Sequence, residues 1–117
     1  MKNFDKLKAN YDFQRLYRRG KSFVSPTVVT YIRGISSDRI RLGITASKKL
    51  GSAVARNRAK RVITAAFREC LPCICSGCEI VIVARSRILG EKSTQVAATL
   101  KKQLSAAGFW CENEAFK

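Results

Sequence analysis

A two-layer α+β sandwich, with elements in the order α-β-β-β-α-β-α, is the fold class that the sequence predicts, and three stretches predict it. The run SKKLGSAVARNRAKRVITAAFR, from Ser47 to Arg68, is amphipathic with a helical period. Arg39–Ser47 alternates apolar and polar residues, as a strand with one buried face does. Glu79–Ala84 (EIVIVA) is a short continuous apolar run, as expected of a strand covered on both sides. A sheet carrying helices satisfies all three. With 117 residues and no internal repeat, low-complexity tract or linker, residues 1–117 read as a single domain.

The elements follow in order. Residues 1–9 are a basic lead-in from which Phe4 and Leu7 can tuck onto the body. Asn10 is placed to cap a helix over Tyr11–Arg19 that stops at Gly20, read as a left-handed C-cap. Phe13 and Tyr17 share a face of that helix at i,i+4, among Arg15, Arg18 and Arg19, while Leu16 is its core candidate. Rings set among cations suit unpaired nucleobases; packing inward is their other use. Phe23–Arg33 reads as a strand with Val29, Tyr31 and Arg33 on one face. Pro26 forces an edge or bulge near its start, and Phe23–Ser25 supplies the additional strand of the order. After a turn at Gly34–Asp38, Arg39–Ser47 completes a hairpin, with Ile40, Leu42, Ile44 and Ala46 inward and Arg39 and Arg41 outward.

In the long helix Ala55, Ala59, Val62, Ile63, Ala66 and Phe67 form the apolar stripe. Pro72 breaks the loop Leu71–Gly77 before the EIVIVA strand. Ser93 or Thr94 starts a last helix with Val96, Leu100 and Leu104 on one line and Lys101, Lys102 and Gln103 on a solvated face. It ends near Gly108, and Phe109 and Trp110 are placed to lock it down.

Charge narrows the function. Lys and Arg number 23 against 8 Asp and Glu, a net charge of +15, which implies a nucleic acid or an anionic surface as partner. Residues 1–68 hold 17 of those cations and 3 of the acids, so the first half carries the electrostatics. No run approaches the roughly 20 apolar residues of a membrane span, and no signal-peptide core is present, so a cytoplasmic chain without membrane contact is expected.

Catalysis by side chains is poorly supported. The chain has no histidine, which excludes histidine acid–base pairs and triads. Asp5, Asp12, Asp38, Glu69, Glu79, Glu91, Glu112 and Glu114 do not cluster in sequence as a two-metal nuclease requires. Neither a phosphate loop nor a dinucleotide fingerprint occurs. Cys70, Cys73, Cys75 and Cys78 form C-x2-C-x-C-x2-C, with Cys111 alone downstream. Zinc modules usually separate two Cys pairs by about 12–20 residues, so the cluster reads as reduced, small apolar residues, with a zinc or redox protein as the competing reading.

Binding remains. Lys48, Lys49, Arg56, Arg58, Lys60 and Arg61 crowd one stretch with no acid among them. Like charges at i,i+4, such as Arg56 and Lys60, cost helix stability unless an anion sits between them. Arginine forks hold phosphate oxygens in pairs, Asn57 can donate and accept, and the Gly51–Ser52 turn opens a helix N-terminus that favours phosphate.

The run SKKLGSAVARNRAKRVITAAFRE closely resembles the signature S-K-K-x-G-x-A-V-x-R-N-R-x-K-R of the protein subunit of bacterial ribonuclease P. Asp12-Phe13, Tyr17 and Gly20 are similar to that family's first helix, Tyr31 falls where its strand carries an aromatic, and Gly77-x-Glu79-Ile80-Val81 resembles its G-x-D-x-V strand entry. Thr64 departs from a position often basic there, and Cys78 from one often aromatic. The resemblance implies a non-catalytic subunit, bound one to one to a catalytic RNA that removes the 5′ leader of precursor tRNA with Mg2+ held mainly by RNA. It implies that Arg56, Asn57, Arg58, Lys60 and Arg61, helped by Lys48, Lys49 and Arg68, face the catalytic RNA. Phe13, Tyr17, Val29 and Tyr31 would line a leader cleft. It also implies a left-handed β-α-β crossover, against the general preference. A structural RNA-binding protein of ribosomal type, without a tRNA-processing role, is the rival.

Overall fold

The computed structural model describes residues 3–111; Glu112 and Glu114 lie outside the described residues. Its elements are β1 (Asp5–Lys6), α1 (Asn10–Arg19), β2 (Lys21–Val24), β3 (Val28–Gly34), β4 (Ile40–Thr45), α2 (Ala53–Cys70), β5 (Cys78–Ala84) and α3 (Ser93–Ala107). The five strands form one sheet in the order β1-β4-β5-β3-β2. The mixed α+β class predicted from the sequence is the one observed.

Several details differ from expectation. The lead-in contains β1, which pairs parallel to β4 through Asp5–Arg41 and Lys6–Leu42. Asn10 is inside α1, whose N-cap is Ala9 without a side-chain cap. Gly20 is extended at φ −77°, not left-handed; glycine is required there because a Cβ would stand 2.7 Å from the Leu16 carbonyl oxygen. The additional strand expected at Phe23–Ser25 is present as β2, but it starts at Lys21 and runs antiparallel to β3. The turn between them is tied by Ser25, whose hydroxyl donates to the Val28 carbonyl (2.7 Å) and accepts from the Val28 N–H (3.0 Å).

The expected β3–β4 hairpin is not formed. β5 lies between them, antiparallel to β3 and parallel to β4, so α2 is the crossover of a β4-α2-β5 unit. A central position explains the unbroken apolar run of β5. Ile80 and Ile82 enter the larger core with Leu42, Ile63, Phe67, Leu100 and Leu104, between the sheet and α2 and α3. Val81 faces the other way, into a smaller cluster with Leu7 and Leu16 beneath α1.

α3 ends as expected, at Gly108 with φ 84°. Gln103 is not on a solvated face: it is buried, accepts from the Thr30 hydroxyl and donates from Nε2 to the Phe23 carbonyl at 2.9 Å. The reading of the cysteine cluster as reduced is corrected at Cys75. Cys75 and Cys111 are disulfide-bonded with Cα atoms 5.6 Å apart, and Cys70, Cys73 and Cys78 are buried thiols outside that bond. The pairing follows from a bridge between Ile74 and Trp110, which lays the segment after α3 along the loop before β5.

Candidate nucleic-acid interface

α2 is built to show one side. Gly51, at φ 120°, turns the chain after a helical turn at Lys48–Leu50, and the Ser52 hydroxyl caps α2 by accepting from the Ala55 N–H at 3.2 Å. Ala59, Ile63, Ala66 and Phe67 of the expected stripe are buried, with Ala55 and Val62 half-buried. Asn57, Arg58, Lys60, Arg61 and Arg68 are exposed, as are Lys48 and Lys49, and Arg56 is half-buried. Among the described residues none of these cations has a carboxylate within ion-pair distance. Arg68 lies over the Phe4 ring at 5.2 Å, and Phe4 packs edge-on against Phe67 at 5.1 Å, so the lead-in braces this end of the face. Thr64 turns its hydroxyl back to the Lys60 carbonyl at 2.8 Å.

The other predicted set also assembles. Phe13, Tyr17 and Tyr31 pack on the small Leu7–Leu16–Val81 cluster together with Val83. Tyr17 meets Tyr31 edge-on at 5.0 Å, and its hydroxyl is 3.3 Å from that of Thr45. Val29 lies in register with Val83, one row along the same sheet face. Phe13 rests on Gly43, where a Cβ would stand 2.6 Å from its ring. Beside it opens a cavity of about 260 Å3 whose walls include Lys6, Phe13 and Gly43 on one side and Lys60 and Thr64 of α2 on the other. One member of each set, Lys60 and Phe13, therefore borders the same cleft. Sequence reasoning missed Lys6, Gly43, Thr45 and Val83 here; each meets Phe13, Tyr17 or Val29 only once the strand order is known.

A third feature was also missed. Glu79, 1% exposed, accepts from Arg15 (3.1 Å), Arg33 (3.0 Å) and Arg41 (2.7 Å). Asp12 joins through Arg15 at 2.8 Å and Arg41 at 3.6 Å, so these two acids, distant in sequence, share partners. The charge of Glu79 holds the Arg15 guanidinium above its usual pKa. Among the described residues no group of three or more His, Cys, Asp or Glu is placed to hold a metal ion, and the paired acids Asp12 and Glu79 are occupied by arginines. Among the described residues, then, no such cluster is open to Mg2+. Burial, with Glu69 adding, pushes the Cys70 thiol up to about 12, which leaves it protonated and inert as a nucleophile.

An unneutralised cationic helix beside an aromatic cleft, on a mixed five-stranded sheet, defines a small nucleic-acid-binding α+β protein. The family model described as Ribonuclease P matches residues 1–108, and the chain belongs to that family. A ribonuclease P protein component of Staphylococcus haemolyticus is 37% identical over 102 residues, covering 87% of this chain and 89% of that one. That of Clostridium novyi is 32% identical over 112 residues, covering 94% and 99%. The solved RNase P protein of Staphylococcus aureus aligns with a TM-score of 0.79 at 34% identity, covering 92% of this chain and 99% of that one. The Thermotoga maritima protein gives 0.75 at 29% identity, covering 86% and 94%.

Proposed function

We propose that the chain is the protein subunit of ribonuclease P. In the cytoplasm it binds the catalytic RNA one to one through α2 and receives the 5′ leader of precursor tRNA in the cleft between α1 and the sheet. It thereby promotes leader removal by the RNA. Arg56, Asn57, Arg58, Lys60 and Arg61 contact the catalytic RNA, with Lys48, Lys49 and Arg68 beside them, and Phe13, Tyr17, Val29 and Tyr31 contact the leader. Mg2+ is held mainly by RNA.

The observation that carries this reading is the juxtaposition of Lys60 and Phe13 across one cleft. Phosphates attract the first and unstacked bases suit the second, so a single strand bound there satisfies both. Reconstitution tests it: purified chain added to catalytic RNA at low magnesium should raise the rate of leader removal. A structural RNA-binding protein of ribosomal type would give no gain, and cleavage by the chain without RNA would refute the division of labour.

A further inference from the structure

At the β2 edge of the sheet, opposite the edge formed by β1 and β4, lies a hollow that neither α2 nor the aromatic cleft uses. It has a volume of about 230 Å3, with Arg19, Lys21 and Arg33 around it and Ile32, Ala107 and Phe109 beneath. None of its lining residues is acidic. Arg33 is held by Glu79 at 3.0 Å, whereas Arg19 and Lys21 have no ion-pair partner among the described residues.

The local sequence builds this hollow. Gly20 lets the end of α1 descend onto β3, since a Cβ there would also stand 3.3 Å from the Ile32 carbonyl oxygen; Arg19 and Lys21 are thereby set on either side. Gly34 admits the Phe109 ring, which would be 3.3 Å from a Cβ at that position. Phe109 is fixed by its own backbone: its N–H donates to Leu104 at 2.9 Å and its carbonyl accepts from Cys75 at 2.8 Å. Arg19 and Lys21, neither with a carboxylate, stand beside an apolar, aromatic floor and repel each other until an anion arrives, and the space suits one planar ring.

We propose that this hollow is a second RNA site, taking one nucleotide of a single-stranded segment with its base on Phe109 and its phosphates between Arg19 and Lys21. Lying at the edge away from Lys60, it is open while the α2 face is occupied. The strand is either a far part of the leader or a single-stranded part of the catalytic RNA, and only that choice rests on the subunit reading above.

The test titrates the full chain with a short labelled single-stranded oligoribonucleotide, with catalytic RNA alone, and, as holoenzyme, with precursor tRNAs of short and long leader. The variants are Arg19→Gln/Lys21→Gln, Phe109→Leu, Phe109→Tyr and a charge-matched control, Lys92→Gln/Lys102→Gln. The first should flatten the salt slope by about 1.4, at roughly 0.7 per single-strand phosphate, and the control should change little. Phe109→Leu, at unchanged net charge, should weaken oligonucleotide binding about fivefold or more, while Phe109→Tyr retains it. Loss confined to the long leader identifies the leader; loss with catalytic RNA alone identifies that RNA. Site variants that bind no worse than the control would overturn the proposal. If Arg58→Gln/Lys60→Gln leaves catalytic-RNA binding intact while the hollow variants lose the oligonucleotide, the hollow stands and the subunit reading fails.

Discussion

Two groups of cations, arginines in the main, are used in opposite ways in this molecule. Arg15, Arg33 and Arg41 converge on the buried Glu79 and, through Asp12, tie α1 to β3, β4 and β5. Arg56, Arg58, Lys60 and Arg61 have no carboxylate within reach among the described residues. The sign of the charge is shared; the supply of counter-charge differs. A saturated guanidinium works for the fold, whereas an unsaturated one is held in readiness for an anion from outside. Placing acids in one region and withholding them from the other separates stability from recognition.

The largest expected effect breaks the first region. Glu79→Gln removes the charge that three guanidiniums share, and should cost about 3 kcal/mol in chemical denaturation, the low end for a broken buried pair because those arginines stay partly hydrated. The aromatic cleft is next. Phe13→Ala or Tyr17→Ala should lose about 1–3 kcal/mol of affinity for precursor tRNA with a leader and little for mature tRNA. Equal losses for the two ligands would mean that the rings serve packing alone. The smallest effect on stability comes from the second region and has the opposite sign. Arg58→Gln/Lys60→Gln should flatten the salt slope of RNA binding by about 0.7–0.9 per lost phosphate contact. It should leave the fold unharmed, or firmer by a few tenths of a kcal/mol where Lys60 repels Arg56. Loss of stability there would erase the contrast.

What was legible in the sequence follows from what periodicity encodes. The helical stripe Ala59–Ile63–Ala66–Phe67, the line Val96–Leu100–Leu104 and the continuous run of β5 each report burial, and all are buried but for the half-buried Val83. Periodicity names no neighbours, which is why β5 was not expected between β3 and β4. β1 is two residues long and carries no pattern at all. Gln103 looked solvated because its partners, Thr30 and Phe23, belong to strands some 70 to 80 residues earlier. The Glu79 cluster draws on four elements and the Cys75–Cys111 bond on two, so neither can be read from local spacing. The cationic face was plain because everything that defines it lies within α2 and the turn before it. The cleft was half visible: Tyr31 and Val29 declared their common face, but Gly43 and Thr45 became neighbours only through β5.

The Cys75–Cys111 bond closes a covalent ring spanning 36 positions, and that ring contains both β5, the middle strand of the sheet, and α3. A protease that nicks the exposed backbone around Arg85–Arg87 would therefore release no fragment until a reductant is added. The sheet's central strand and the final helix are leashed to each other, so a cut between them leaves a single molecule.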